Sequence, residues 1–275
     1  MRKLKNKLKL LTVLAICFSF IQCQGQLKTN SKMNNDQKDT ASLPMPSGID
    51  NPNRVYFITF LWYNENGVSQ LNQFMEKAQP YWDKYKLGNV GVIKIGMKRA
   101  IEGENNIEQP DEIRLNYAED MALFEQYTQD EEIKKIDHIR DGAIRRLTLV
   151  LGKEEDITSM KTVFDSNIDD RLYVIQLLNF KDNGALKWSK FNEAAAPLFK
   201  EYGLHFDYVF NPIKKVDGKG DGADMEIPDK VVVFHADDSS RLADYNADER
   251  YLQLATLREE GVEHNKLFGG KLIAY

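Results

Sequence analysis

The sequence predicts an α+β fold built twice over, as two tandem β-α-β-β-α-β repeats. The first observation is internal similarity. Shifting the chain by 117 residues lays Val55–Tyr63 on Leu172–Phe180, and the 31 positions from Val55 to Tyr85 share ten identities with their counterparts, among them Asn66-Gly67 with Asn183-Gly184. A shift of 118 then pairs Pro110-Asp111 with Pro228-Asp229, Tyr127 with Tyr245, Asp130-Glu131 with Asp248-Glu249 and Arg140 with Arg258. Second, each copy opens on a β-branched and aromatic run that is apolar on both alternating sets, the pattern of a strand covered on both faces. Third, apolar residues at helical spacing follow each run.

In copy one the first strand, Val55–Tyr63, is broken by Asn66-Gly67, and Leu71, Phe74, Met75, Ala78 and Trp82 mark the helix that follows. In copy two the strand is Leu172–Phe180, and Leu186, Phe191, Ala194, Ala195 and Leu198 mark a helix ending at Tyr202-Gly203, where glycine suits the C-terminal cap. Pro80 and Pro197, late in these helices, predict a kink or looser final turns. Second strands fall near Val90–Met97 and Phe206–Asn211, and third strands at Glu112–Tyr117 and Lys230–His235. Second helices run from about Met121 to Asp141 and Ser240 to Glu260, and last strands lie near Arg146–Leu151 and Leu267–Tyr275. The repeats thus occupy residues 53–153 and 171–275, joined by a charged connector at 154–170.

Each copy is a ferredoxin-like split motif, an antiparallel sheet with both helices on one face. The other face would be bare, yet the first strand is apolar on both sides. The neighbouring copy offers an equivalent cover, so the two sheets are expected to pack face to face as a closed or nearly closed barrel, a pseudo-dimer within one chain.

Ahead of the repeats, Arg2, Lys3, Lys5, Lys7 and Lys9 precede a twelve-residue, predominantly apolar run, Leu10–Ile21, which is short for a membrane span and suited to an export signal over residues 1–22. Two cleavage readings stand. Cys23 could be the lipidated first residue of a bacterial envelope lipoprotein, although Gln22 replaces the small residue expected before it; the rival is signal-peptidase cleavage after Gly25, giving a soluble periplasmic or secreted protein. Lipidation is the favoured reading. Residues 23–52 hold no sustained period and read as a polar tether. Loss of the leader's five positive charges takes the net charge from −5 to −10, which argues against nucleic acid as a partner and leaves the N-terminal lipid as the membrane contact. With Cys17 and Cys23 both near the start, the repeats contain no disulfide and no thiolate cluster, and no metal site is expected.

Polar residues on the apolar strands are the candidate ligand groups. Thr59 and Gln176 share one position of the first strand, with Trp62 and Asn179 three residues on. A buried amide must be hydrogen-bonded, by a ligand or by neighbouring backbone, and both readings stay open. His235 follows Val231-Val232-Val233-Phe234 and precedes Asp237-Asp238, so it could act as a base with an acidic orienter, or those aspartates could simply start the next helix. Arg140 and Arg258 recur in both copies, which favours a structural role such as pairing with Asp130 and Asp248; Tyr127 and Tyr245 read as anchors of helix to sheet. The Asp217–Asp224 loop fails as a calcium loop because Lys219 occupies a ligand position and Pro228 replaces the bidentate acid.

The stretch Lys187–Gly203, with Phe191, Ala196-Pro197 and Glu201-Tyr202-Gly203, and the stretch Lys230–Arg258, with Tyr245, Asp248, Tyr251 and Leu257-Arg258, resemble the dimeric α/β-barrel superfamily. The closest likeness is to its small bacterial domains of unknown function, whose relatives include cofactor-free monooxygenases. The resemblance covers Arg54–Tyr275 in two copies. It departs where those domains end the third strand in Glu-Phe: this chain has Phe234-His235 and Asn116-Tyr117, and Tyr117 joins the ligand-binding candidates. Some barrel relatives hold haem through a helical histidine, which makes His138 a haem candidate; its counterpart is Thr256 and its neighbours are charged, so an exposed histidine and no cofactor is the favoured reading. Two functions follow as expectations. One is an exported barrel that binds a small, partly apolar ligand. The other is a cofactor-independent oxygenase or isomerase with His235 as base and Gln176 or Asn179 polarising a carbonyl.

Overall fold

The computed structural model describes residues 51–96, 108–157, 171–217 and 226–273. The export signal, Cys23, most of the tether, most of the connector and most of the Asp217–Asp224 loop lie outside the described residues. Copy one consists of β1 (Val55–Tyr63), α1 (Gly67–Lys84), β2 (Leu87–Ile95), β3 (Glu112–Ala118), α2 (Met121–Gln129), α3 (Glu131–Ala143) and β4 (Ile144–Glu154). Copy two repeats the order with β5 (Leu172–Phe180), α4 (Gly184–Glu201), β6 (Leu204–Asp217), β7 (Lys230–Ala236), α5 (Ser239–Ala247), α6 (Glu249–Gly261) and β8 (Val262–Ile273).

The eight strands close into one barrel in the order β1-β3-β2-β8-β5-β7-β6-β4. The two sheets therefore do more than face each other. They are hydrogen-bonded edge to edge, through β4 and β6 from Thr148↔Asp217 to Glu154↔Phe210 and through β2 and β8 from Val92↔Ile273 to Ile95↔Gly270. These seams explain why the last strands and β6 run longer than the apolar pattern alone: Lys214 and Lys215 are polar, yet their backbone pairs with Leu151 and Val150. Every neighbouring pair is antiparallel, so β1 and β5 point the same way and the pseudo-twofold axis coincides with the barrel axis.

Alternation along the strands separates two kinds of core. Tyr56, Ile58, Phe60, Trp62, Ile113, Leu115, Ile175, Leu177, Val231 and Phe268 fill the barrel. Val55, Phe57, Leu61 and Leu151 point outward beneath α1 and its partner helix, against Leu71, Phe74, Ala78 and Trp82. This is why the opening strands are apolar on both sides.

Three local expectations are corrected. Each second helix is two helices, broken at Asp130 and Asp248, whose backbone is extended and whose side chains cap the following helix by accepting from the N–H of Glu132 and Arg250. Those aspartates are held by Lys84 with Tyr85, and by Arg250 with Tyr202, so Arg140 does not pair with Asp130; it pairs with Asp137 and Asp141. Leu186 is exposed, and Trp188, the counterpart of Leu71, is buried in its place. The helices run on through Pro80 and Pro197, and Gly203, at φ +63°, follows the cap of α4 as its sequence suggests. The buried Tyr127 accepts from the Trp82 indole at 3.3 Å, a hydrogen bond that joins α2 to α1 and not to the sheet.

Candidate functional site

Because the pseudo-twofold lies on the barrel axis, each mouth collects equivalent residues from both copies. The upper mouth is where β1 and β5 end; the lower is where they begin. The sequence-derived candidates divide among three places. Thr59 and Gln176 alternate with interior residues and so lie outside the barrel, under the helices, where Gln176 donates to Asn265 Oδ1 at 2.8 Å. Trp62 and Asn179 belong to the upper mouth. Tyr117 and His235 belong to the lower mouth, in opposite copies. His235 pairs with Tyr173, six residues before Asn179 on β5, which places them ~20 Å apart. The carbonyl-polarising set of His235 with Gln176 or Asn179 is therefore not assembled.

At the upper mouth Trp62 and Asn179 play one structural part in the two copies. The Trp62 indole donates to the Glu108 carbonyl at 3.1 Å, and the Asn179 amide donates to the Ile227 carbonyl at 2.9 Å, each fixing the approach to the third strand. Beside Trp62, Arg146 lays its guanidinium over the indole ring at 4.4 Å. Arg146 and Thr148 alternate with interior Val150. Arg146 Nε and Nη2 and Thr148 Oγ1 are buried without a hydrogen-bond partner among the described residues. On the opposite wall His264 and Lys266 occupy the equivalent positions of β8, four and two residues from interior Phe268. The acid nearby is Glu108: its hydrogen bond from Arg145 leads the causes that hold it below the usual carboxylate range, and the Arg146 charge adds to them. Basic groups thus converge on an apolar barrel end.

The lower mouth differs between its halves. In copy one, Arg54 pairs with Glu119 at 2.6 Å and lies 4.6 Å above the Tyr117 ring. Tyr56 donates to Glu154 at 2.6 Å; burial first, and then that carboxylate, push its phenol far up. In copy two the Arg54–Glu119 pair returns as Arg171–Asp237 at 3.3 Å, but the surrounding residues have changed. Gly88, Val90 and Tyr117 are replaced by His205, Asp207 and His235.

The β-bulges set this geometry. Between Phe206 and Tyr208 the register shifts, so Asp207 is the extra residue of β6, and Val90 is the extra residue of β2. Asp207 is 1% exposed and His235 0%. The Asp207 carboxylate accepts from His235 Nδ1 at 2.9 and 3.0 Å, an arrangement that in the neutral ring puts the proton on Nδ1 and the lone pair on Nε2. That Nε2 is buried with no hydrogen-bond partner among the described residues, 3.6 Å from Asp237 Oδ1. His205 stacks on the same imidazole, centroids 5.0 Å apart, and its Nε2 donates to Asp237 Oδ2 at 3.1 Å. Burial raises the Asp237 carboxyl, but His205, Arg171 and His235 outweigh it and hold the group low. The acidic orienter of His235 is therefore Asp207, and Asp238 caps α5 through Ser240. Strand alternation read without the bulge gave no reason to join Asp207 to His235.

His138 is exposed, as the favoured reading has it. It sits on the exposed side of α3, with Nδ1 against the Lys135 carbonyl at 2.9 Å. Among the described residues no helix is long and apolar enough to cross a membrane.

No protein-family model matches the sequence, and no curated protein matches it. Solved structures do match in fold. An anthrone oxidase-like protein is similar over 80% of this chain and 91% of its own, with a TM-score of 0.56 at 10% identity. A chlorite dismutase variant from Candidatus Nitrospira defluvii is similar over 80% of this chain and 91% of its own, with a TM-score of 0.46 at 9% identity. Identities this low speak for fold and not for chemistry, and the likeness to the anthrone oxidase-like protein, with the closed barrel and repeated element order above, shows a dimeric α/β-barrel fold whose two halves are supplied by one chain.

Proposed function

We propose that the protein is an exported barrel, anchored to the bacterial envelope through a lipid on Cys23, that binds a small, partly apolar molecule carrying an anionic group in its upper mouth. The observation that supports this is the set of unpartnered buried donors on Arg146 and Thr148 beside Trp62. A buried donor left unpaired costs about 1–3 kcal/mol, and more for a charged group. A carboxylate or sulfonate lying against Arg146, with its apolar body beside Trp62, satisfies those donors and uses the bidentate geometry of guanidinium. Lys266 and His264, from the facing wall, add to the attraction for an anion. The unequal mouths and the separation of His235 from Gln176 and Asn179 favour binding over the carbonyl chemistry considered from sequence.

Calorimetry with 2-naphthoate as probe tests the reading. The purified protein is expected to bind it at the upper mouth, and Arg146→Gln is expected to weaken binding at least about tenfold, the loss of one charge-assisted hydrogen bond or more. Equal affinity in the two proteins, or no affinity in the folded wild type for naphthoate or its neutral amide, would falsify it. Preferential binding of the amide would also count against an anionic ligand.

A further inference from the structure

The lower mouth holds a group of side chains that ligand binding above does not use. One ligand atom from each of His205, His235 and Asp237 lies within 4.8 Å of the others. Donor atoms ~2.1 Å from a tetrahedral ion sit about 3.4 Å from each other. The separations to Asp237, 3.1 Å from His205 Nε2 to Oδ2 and 3.6 Å from His235 Nε2 to Oδ1, lie on either side of that value, one imidazole against each carboxylate oxygen. We propose that His205, His235 and Asp237 bind one divalent first-row transition-metal ion, with a fourth position open at the mouth of the barrel.

Four observations carry the assignment. The buried His235 Nε2 has no hydrogen-bond partner among the described residues and lies 3.6 Å from Asp237 Oδ1, so an imidazole nitrogen already points into the site. Its Nδ1–H is clamped by the Asp207 carboxylate, the outer carboxylate–imidazole arrangement that orients metal-binding histidines and raises their basicity. The chain contains four histidines, and two of them meet here.

The duplication supplies the internal control. At the equivalent place copy one has Gly88, Val90, Tyr117 and Glu119, one carboxylate with no imidazole. There the tyrosine ring occupies the space: a Cβ on Gly88 would stand 2.2 Å from Tyr117 Cζ. Copy one also places Lys86 where copy two has Gly203, and the Lys86 charge acts on Glu119. Copy two has thus gained two imidazoles and a second carboxylate while losing a cation. Arg171 stays on Asp237 Oδ1, as Arg54 does on Glu119, and leaves Oδ2 toward His205.

Two nitrogens and one oxygen select zinc, iron(II) or cobalt over magnesium or calcium, which prefer all-oxygen sites. The test uses untagged protein stripped with chelator, dialysed against Zn²⁺ or Co²⁺ and analysed by elemental mass spectrometry and visible absorption. About one Zn²⁺ per chain is expected, with Co²⁺ giving the visible bands of a low-coordinate ion and Mg²⁺ in excess displacing neither. His205 and Asp237 are partly exposed, with side chains 29% and 51% accessible, so His205→Ala and Asp237→Ala keep the fold and are expected to abolish stoichiometric binding. Asp207→Asn is expected to weaken affinity about 10–100-fold. Naphthoate binding at the upper mouth should be unchanged in His205→Ala, so the two sites fail separately. The assignment is overturned if wild type, folded by circular dichroism, takes up less than about a tenth of an ion per chain, or if the His205 and Asp237 variants bind metal as wild type does.

Discussion

Replacing His235 alone with the tyrosine of copy one is expected to be among the most damaging single changes in the barrel, and undoing its neighbours as well should restore the fold. In wild type the Asp207 carboxylate and the His235 imidazole are 1% and 0% exposed and bonded at 2.9 and 3.0 Å. His235→Tyr removes the Nδ1–H from that carboxylate, a loss of about 3–5 kcal/mol for a broken buried pair. It also pushes a larger ring toward His205, where copy one has only Gly88, and overpacking of this kind costs about 1–3 kcal/mol. A total near 4–8 kcal/mol is a large share of the about 5–15 kcal/mol that holds a typical domain folded, and at ~2–4 °C per kcal/mol it lowers Tm by roughly 10–30 °C. The triple variant His205→Gly/Asp207→Val/His235→Tyr rebuilds the packing of copy one. Removing a buried ionic group together with its partner is often close to neutral, so the triple variant should return to within about 2 kcal/mol of wild type. Urea and thermal unfolding, followed by the fluorescence of the three tryptophans, measure both. A single variant within about 1 kcal/mol of wild type, or a triple variant no more stable than the single one, would refute the coupling of Asp207 to His235 and the equivalence of the two mouths.

Other predictions follow from the same structure. Phe60→Ala, at the packed centre of the barrel against Phe268, should destabilise by about 3–5 kcal/mol in urea titrations. The Asp248 carboxyl is held low by Arg250 and then Tyr202, with the Arg250 backbone N–H adding to it. Its folded value lies below its unfolded value, so its contribution is complete above the ordinary aspartate range, about 3.9, and disappears as pH falls through the depressed value. Wild type should therefore lose more stability on acidification to about pH 2.5 than Asp248→Asn does, and parallel pH profiles would contradict the cap. The β2–β8 seam, which pairs at four positions in the described residues against seven for β4–β6, should show faster amide exchange than the longer seam. Cys23→Ser should move the protein from the detergent phase to the aqueous phase in Triton X-114 partitioning; wild type already in the aqueous phase would favour cleavage after Gly25.

Much of the fold was legible because its cause is local. Runs such as Val55–Tyr63 and Leu172–Phe180 announce strands buried on both faces, and a repeated sequence must repeat its elements. What stayed hidden depends on partners distant in sequence. The break at Asp130 carries a helix-start pattern, Asp followed by Glu131-Glu132, but it falls within a longer helical stretch with no glycine or proline to mark the break, and its extended backbone reveals the cap. An apolar-both-sides strand cannot say which of its faces a polar residue takes, so Thr59 and Gln176 read as possible interior groups. His235 was visible as a polar end to an apolar strand, whereas Asp207 reached it through a bulge that shifts the alternation of β6. Arg146 and Thr148 carried no signal beyond their alternation with Val150. The signal that could have found the lower site was the alignment of the copies, where Gly88, Val90 and Tyr117 stand opposite His205, Asp207 and His235.

Closure of the strands has a consequence for how anything else can meet this molecule. Each described strand has a neighbour on both sides, so no described strand is an edge strand along its whole length. A closed order of strands makes extension of the sheet a poor route for a partner to dock. Recognition is left to side chains, on the outer helices or at the two open ends, and the ends are unlike. The barrel presents a basic end and an imidazole-bearing end to its surroundings, a polarity that its nearly symmetrical backbone does not show.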